Sequence, residues 1–190
     1  MLKGTSVFLI GMMGAGKSTI GKLLAAQLDY RFLDTDQLVE TCAGQTIPEI
    51  FARSGEASFR EIEHQVLGQV SAYTRLVVAT GGGIVLNQMN WSHLHHGLVV
   101  WLDVPVPVLY DRLTNATVQR PLLQTENPLL TLTNIYEQRW DRYAQADIRI
   151  TVGEEESSKQ VCERTIEAIA KKVEPDRLKV LPEEVILDCE

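Results

Sequence analysis

Near the N-terminus stands Gly11-Met12-Met13-Gly14-Ala15-Gly16-Lys17-Ser18, three glycines followed by a lysine and a hydroxyl in the spacing G-x-x-x-x-G-K-[ST]. That combination is built for phosphate. Glycines let backbone N–H groups approach an anion closely, and a helix N-terminus adds partial positive charge. The lysine reaches the outer phosphates and the hydroxyl serves Mg2+. Gly14, Ala15, Gly16, Lys17, Ser18 and Thr19 are therefore candidate contacts for a nucleoside triphosphate, with Ser18 as a candidate Mg2+ ligand. An ordinary glycine-rich turn needs neither the lysine nor the hydroxyl.

A second group could handle the acceptor of a phosphoryl group. Asp34 and Asp36 flank Thr35 at the end of an apolar run, and alternate residues of extended backbone share a face. One acid can order the hydration shell of Mg2+ while the other accepts a hydrogen bond from an attacking hydroxyl; either could instead cap the helix that follows. Arg60 and Glu63 stand three apart on a helix and so share a flank, as a surface ion pair also would. Gly81, Gly82 and Gly83 follow another apolar run, where bare backbone permits close contact with a ligand. Arg112, Arg120 and Arg139 add guanidinium forks suited to carboxylates and phosphates, although a solvated arginine is the plainer reading of each.

These residues need a frame that gathers them. Apolar runs at Ser6–Ile10, Arg31–Leu33, Leu76–Ala79, Leu98–Leu102 and Ile148–Val152 alternate with helical patterns, the order of repeated βα units and a mainly parallel sheet. Three of the runs are almost continuously apolar, as strands covered on both faces must be. Ile20, Leu23, Leu24 and Leu28 recur at helical spacing, as do Phe59, Ile62, Val66 and Val70, and then Val161, Thr165, Ile166 and Ile169. Thr46 and Glu49 predict a capping box opening a short helix that ends by Gly55. Open sheets of this class bind ligands beyond the carboxyl ends of their strands, where the glycines and aspartates fall. Thr114–Pro128 is polar and carries two prolines, which predicts a long loop able to act as a lid.

With 190 residues, 45% hydrophobic and 23% charged, the chain suits one globular domain and excludes intrinsic disorder. The expected division is a single domain over 1–173 and an acidic extension over 174–190, which holds six acids and two bases. The net charge of −7 disfavours nucleic acid and anionic membranes, so an anionic substrate needs a local cluster of cations. No apolar run approaches the roughly 20 residues of a membrane span and the N-terminus lacks a secretory pattern, so a cytoplasmic protein is expected. Cys42, Cys162 and Cys189 lack disulfide or zinc spacing, and His93, His95 and His96 have no acidic or cysteinyl companions at ligand spacing.

Taken together, the motifs resemble the shikimate kinase family from about Ser6 to Lys172. They are G-M-M-G-A-G-K-S-T, L-D-T-D at 33–36, F-R-E-I-E at 59–63, the triple glycine, R-P-L-L at 120–123 and Y-E-Q-R at 136–139. The resemblance implies a monomeric P-loop enzyme of nucleoside monophosphate kinase type, three α/β/α layers around a parallel sheet of order 2-3-1-4-5, with a lid. It implies transfer of the γ-phosphoryl group of ATP to the 3-hydroxyl of shikimate, with Mg2+, in aromatic amino acid biosynthesis. By position, Arg60 and Arg139 would hold the substrate carboxylate, while Asp36 and the backbone at Gly81, Gly82 and Gly83 would place its hydroxyls. Glu63 would orient Arg60, and Asp34 would act on Mg2+ through water. Lys17 and Arg120 would stabilise phosphate charge, with Asp36 the third catalytic group, and Arg112 would stack on adenine. The loop at 153–157 would cover the other adenine face; here it reads Gly-Glu-Glu-Glu-Ser, without the proline of many relatives. A kinase for another polyol acid such as gluconate, or a silent relative serving as a binding module, are the rival readings; the latter should have lost Lys17, an aspartate or an arginine.

Overall fold

The computed structural model describes residues 2–115 and 125–173. Five strands form one sheet: β1 Val7–Ile10, β2 Arg31–Asp34, β3 Leu76–Ala79, β4 Leu98–Asp103 and β5 Ile148–Thr151. All pairings are parallel and the order is β2-β3-β1-β4-β5. Their burial follows that order. The inner strands β1 and β3 are buried at every residue and β4 at all but its first, whereas β5 alternates and β2 is half-exposed, as edge strands should be. Each of the Val, Leu and Ile side chains removed from water in these strands stabilises the fold by on the order of 1.5–3 kcal/mol.

The helices are α1 Lys17–Leu28, α2 Thr35–Ala43, α3 Ile47–Ser71, α4 Gln88–Leu94, α5 Val106–Thr114, α6 Pro128–Tyr143 and α7 Ser158–Val173. The helices that join these parallel strands pack α1 on α7, α3 on α4 and α5 on α6, and with the sheet they make three layers. The capping box at Thr46 and Glu49 is present, and the short helix that it opens ends at Gly55 (φ 77°, ψ 176°), as expected; a second helix resumes at once and carries Arg60, so α3 is two helices joined at a kink. One expectation needs adjustment. Leu23, expected on the core face of α1, is 38% exposed.

Every βα junction meets the same edge of the sheet. The phosphate-type loop follows β1, Asp34 ends β2, Gly81–Gly83 follow β3, Asp103 ends β4 and Gly153 lies just past β5. Arg120, most of the proposed lid over 114–128, Cys189 and the acidic 174–190 segment lie outside the described residues. Cys42 and Cys162 are free thiols.

Candidate active site

The loop after β1 takes its shape from positive φ at Gly11, Gly14 and Gly16, with Gly16 as the left-handed residue that admits α1. Lys17 is buried, and its ammonium donates to the carbonyls of Gly11 and Met12 at 2.9 Å each, so the charge is held over the loop. One residue on, the Ser18 hydroxyl donates to Asp34 Oδ2 at 2.6 Å. Asp34 also caps α2, its Oδ1 accepting from the Asp36 N–H at 3.0 Å. The capping and metal-directed readings of this acid are therefore compatible. Asp36 lies in the first turn of α2, so strand alternation is not what aims the pair; the strand-to-helix turn is.

Across the cleft, Arg60 is gripped from both sides. Nη1 donates to Glu63 Oε2 at 2.8 Å, and Nε and Nη2 donate to Glu56 Oε1 at 3.2 and 3.0 Å. Its guanidinium lies 5.1 Å from the centre of the Phe59 ring. Glu63 is 1% exposed and its Oε1 has no hydrogen-bond partner among the described residues. Burial raises the Glu63 pKa above the usual carboxylate range; Arg60 opposes that rise and the nearby Asp36 charge adds to it. The three glycines earn their place by space as much as by conformation. A Cβ on Gly81 would stand 2.6 Å from Glu63 Oε1 and 2.8 Å from Asp36 Oδ1, and one on Gly83 would stand 2.5 Å from both terminal nitrogens of Arg60. The Gly82 carbonyl accepts from Arg139 Nη1 at 3.0 Å and from the Tyr143 hydroxyl at 2.6 Å.

One cavity of about 350 Å³ joins these groups. Gly14, Gly16, Lys17, Ser18 and Thr19 line one part of it, and Arg60, Glu63, Gly81, Gly82, Gly83 and Arg139 another, with Asp34 and Asp36 on the same wall. Its charged lining balances Lys17, Arg60 and Arg139 against Asp34, Asp36 and Glu63. A phosphate cradle and a two-arginine clamp therefore open on one space, which can hold a polyphosphate against a small anion.

The family model for shikimate kinase matches residues 13–170. The chain belongs to the shikimate kinase family. Shikimate kinase from Synechococcus elongatus is 56% identical over 168 residues, 88% of either chain, and that of a Nostoc species is 54% identical over 169 residues, covering 89% of this chain and 93% of its own. The solved shikimate kinase from Acinetobacter baumannii in complex with shikimate superposes with a TM-score of 0.82 at 35% identity, over 89% of this chain and 94% of that one. A gluconokinase from Sinorhizobium meliloti, at TM-score 0.58 and 15% identity, shares the fold alone.

Against this family's pattern, two expected residues stand apart from the cavity lining. Ala15 is buried behind the loop, leaving only its backbone to serve phosphate. Arg112 touches the loop instead, where Nη1 donates to the Gly14 carbonyl at 3.4 Å. The 153–157 turn, lacking the proline, is closed by an ion pair instead. Both Glu156 oxygens accept from Arg164, at 2.7 and 2.8 Å, and Glu156 Oε2 also accepts from the Gly153 N–H at 3.0 Å.

Four features of the site were not anticipated from the chain alone. Ile47 and Phe51 line an apolar wall together with Phe59, which helical spacing assigns only to the core; the two phenylalanine rings lie 4.9 Å apart. An aromatic pair eight residues apart in a segment flanking Arg60 is the signal that was available. Thr35, between the two aspartates, accepts the Gly81 N–H on its hydroxyl at 3.0 Å and so ties the glycine turn to β2. Thr80 also lines the cavity. Tyr143 reaches Gly82 from 61 positions away, a contact no local pattern could announce.

Proposed function

We propose that this chain transfers the γ-phosphoryl group of ATP to the 3-hydroxyl of shikimate, giving shikimate 3-phosphate and ADP in aromatic amino acid biosynthesis. The observation that carries the reading is the single cavity in which Lys17 and the glycine loop face the Arg60 and Arg139 clamp. Identity above 50% to named shikimate kinases over nearly nine-tenths of the chain supports the same substrate.

In this reading Arg60 and Arg139 grip the carboxylate, Glu63 orients Arg60, and Asp36 with the backbone of Gly81–Gly83 places the hydroxyls. The reacting oxygen forms a bond to the γ-phosphorus as the bond to the β,γ-bridging oxygen breaks, and ADP leaves. Asp36 is first a positioning group, because bonding to the attacking oxygen is weak in a loose transition state; the hydroxyl proton passes to it or to solvent. Phosphate oxygens replace the Gly11 and Met12 carbonyls as acceptors for Lys17. Arg120 adds charge stabilisation from the lid and Arg112 flanks the adenine, with the lid closing over 114–128 to exclude water.

The residues present fit Mg2+. Ser18 Oγ and Asp34 Oδ2 are hard oxygen donors 2.6 Å apart, and no group of three or more His, Cys, Asp or Glu among the described residues is placed to hold a metal. That donor set suits an ion that keeps most of its waters and binds chiefly to substrate phosphates, with Ser18 as ligand and Asp34 acting through water. When bound it neutralises charge on the β- and γ-phosphates. The proposal extends to a monomeric cytoplasmic enzyme without nucleic-acid or membrane partners, organised as one kinase domain over 1–173 followed by an acidic extension; no helix among the described residues is long and apolar enough to cross a membrane.

The test is coupled ADP detection with Mg-ATP and shikimate, beside quinate and gluconate. Shikimate-dependent ADP formation, abolished by chelation of the metal, is the expected result. Turnover of gluconate at a comparable rate, or ADP release indifferent to shikimate, would overturn the assignment.

A further inference from the structure

The turn from Gly81 to Leu86 is held to an unusual degree by donors from distant elements. The Gly81 and Gly83 carbonyls accept from the backbone N–H groups of Ile84 and Leu86. The remaining four carbonyls all go to side chains: Gly82 to Arg139 and Tyr143, Ile84 to Asn90 at 2.8 Å, Val85 to the Trp91 indole at 3.4 Å, and Leu86 to Arg142 at 3.2 Å. Such a turn has no backbone acceptor left to reorganise around. Among the described residues, Gly82 is the one carbonyl of this turn that two side chains share, and one of the two belongs to the proposed substrate clamp.

We propose that Tyr143 is a positioning residue for the phosphoryl acceptor: its hydroxyl fixes the Gly82 carbonyl and, through it, sets the Arg139 guanidinium that meets the substrate carboxylate. The inference rests on the shikimate reading above. Tyr143 is 0% exposed and its ring stacks on Trp101 at 5.7 Å and 21° between planes, so the hydroxyl has one place to be. From there it donates to Gly82 at 2.6 Å, and its oxygen lies 3.6 Å from the sulfur of Met12, the residue whose carbonyl holds Lys17. The contact with Gly82 is the short one, so the hydroxyl acts on the turn that orients Arg139. Burial raises its pKa to about 12, against the opposing pull of Arg139 and Arg60, so it remains a donor throughout the range in which a kinase is assayed. A carbonyl oxygen offers two lone pairs. With Tyr143 on one of them, Arg139 is confined to the other, and its remaining N–H groups take a defined direction.

A tyrosine that merely filled space would matter through its ring, so the test removes the oxygen and keeps the ring. In Tyr143→Phe, KM for shikimate is expected to rise about 5- to 20-fold, the weight of one well-made hydrogen bond, while kcat and KM for Mg-ATP stay within about twofold. Two further readings tie the effect to Arg139. With the methyl ester of shikimate, followed as substrate or competitive inhibitor, the Phe variant and the parent should bind within about twofold of each other, because the charge that Arg139 answers is gone. In an Arg139→Lys background the Phe substitution should add less than about twofold, the signature of two residues acting as one unit. The ratio of acid to ester affinity, taken on one preparation, cancels any loss of folded protein and stands even where the Phe variant is less stable.

An unchanged KM for shikimate overturns the proposal, as does an equal penalty for acid and ester or a parallel loss for Mg-ATP. A parent enzyme that forms no ADP from shikimate would instead sink the functional reading itself, a result distinguishable from an active parent that is indifferent to Tyr143→Phe.

Discussion

Two buried carboxylates at the same edge of the sheet are each held by an arginine, and they are finished differently. Asp103, at the end of β4, has both oxygens occupied. Oδ2 accepts from Arg149 Nε and Nη2 at 3.0 and 2.7 Å, and Oδ1 accepts from the Tyr136 hydroxyl at 2.8 Å. Arg149 itself lies against two indoles, 4.7 Å from the Trp101 ring centre and 5.5 Å from that of Trp140. Glu63, on α3, has one oxygen on Arg60 at 2.8 Å and the other without a hydrogen-bond partner among the described residues. Leaving a buried acceptor unpaired costs about 1–3 kcal/mol, a cost that native interiors rarely retain. The unpaired oxygen stands beside Arg60 in a cavity wall that also holds Asp36. The Asp103 carboxylate keeps neither oxygen free and joins the sheet edge to α6, although the buried Trp101 Nε1 beside Arg149 has no partner among the described residues. The two carboxylates differ in saturation although burial and ion-pair distance nearly coincide.

The most severe way to break that contrast is to crowd the unfinished cluster. In Gly83→Ala the backbone is undisturbed, since φ is −98°, but the new methyl would fall 2.5 Å from both terminal nitrogens of Arg60. The guanidinium must move by about 1 Å, and a clamp misplaced that far typically loses up to about a hundredfold. KM for shikimate should rise about 10- to 100-fold with KM for Mg-ATP within about twofold, read from initial rates at saturating co-substrate. Unaltered kinetics would mean that Arg60 never meets the substrate, and the contrast with Arg149 would lose its meaning.

That expectation depends on spatial facts, and the extent to which the chain announced them is uneven. Continuous apolar runs made β1, β3 and β4 legible because a strand buried on both faces has no other way to be written. Spacing on a helix likewise placed Arg60 and Glu63 on one flank, where they do pair. Spacing could not say that the Glu63 oxygens would be treated unequally, since that is decided by how closely Gly81 approaches. Nor could it separate Arg139, which enters the cleft, from Arg142, which turns aside to the Leu86 carbonyl; both lie on α6 and differ by less than one turn. Phe59 defeated periodicity in another way, because one ring can belong to the core and to the cavity wall at once. Patterns report faces, whereas a site is made of distances between segments far apart in the chain.

A subtler probe leaves shape intact and removes the buried charge. Glu63→Gln keeps an acceptor for Arg60 but loses the ion pair, so KM for shikimate should rise about 3- to 10-fold. Stability should move the other way as pH increases. Burial lifts the Glu63 pKa above its ordinary 4.5, so the folded state favours the protonated carboxyl. Its contribution is fully present below about pH 4.5 and is lost as pH rises through the folded value. The glutamine variant has no such loss, and its melting temperature relative to the parent should therefore improve between pH 4.5 and 8. A difference independent of pH would show that Glu63 is as comfortably ionised as a finished ion pair.

The smallest expected effect tests the finished cluster. Tyr136→Phe removes the donor to Asp103 Oδ1 and leaves a buried carboxylate oxygen unpaired, the condition that Glu63 has by construction. Burial and then the hydrogen bond to Asp103 raise the Tyr136 pKa to about 12, so the lost group is a neutral donor at ordinary pH. The change should cost about 1–2 kcal/mol, lowering the melting temperature by roughly 2–8 °C in a domain of this size. Both KM values and kcat should stay within about twofold, because Asp103 and Arg149 do not line the cavity. If shikimate affinity fell in step with stability, the clamp at α6 would be part of the site, and saturation of hydrogen bonds would cease to distinguish a structural carboxylate from a working one.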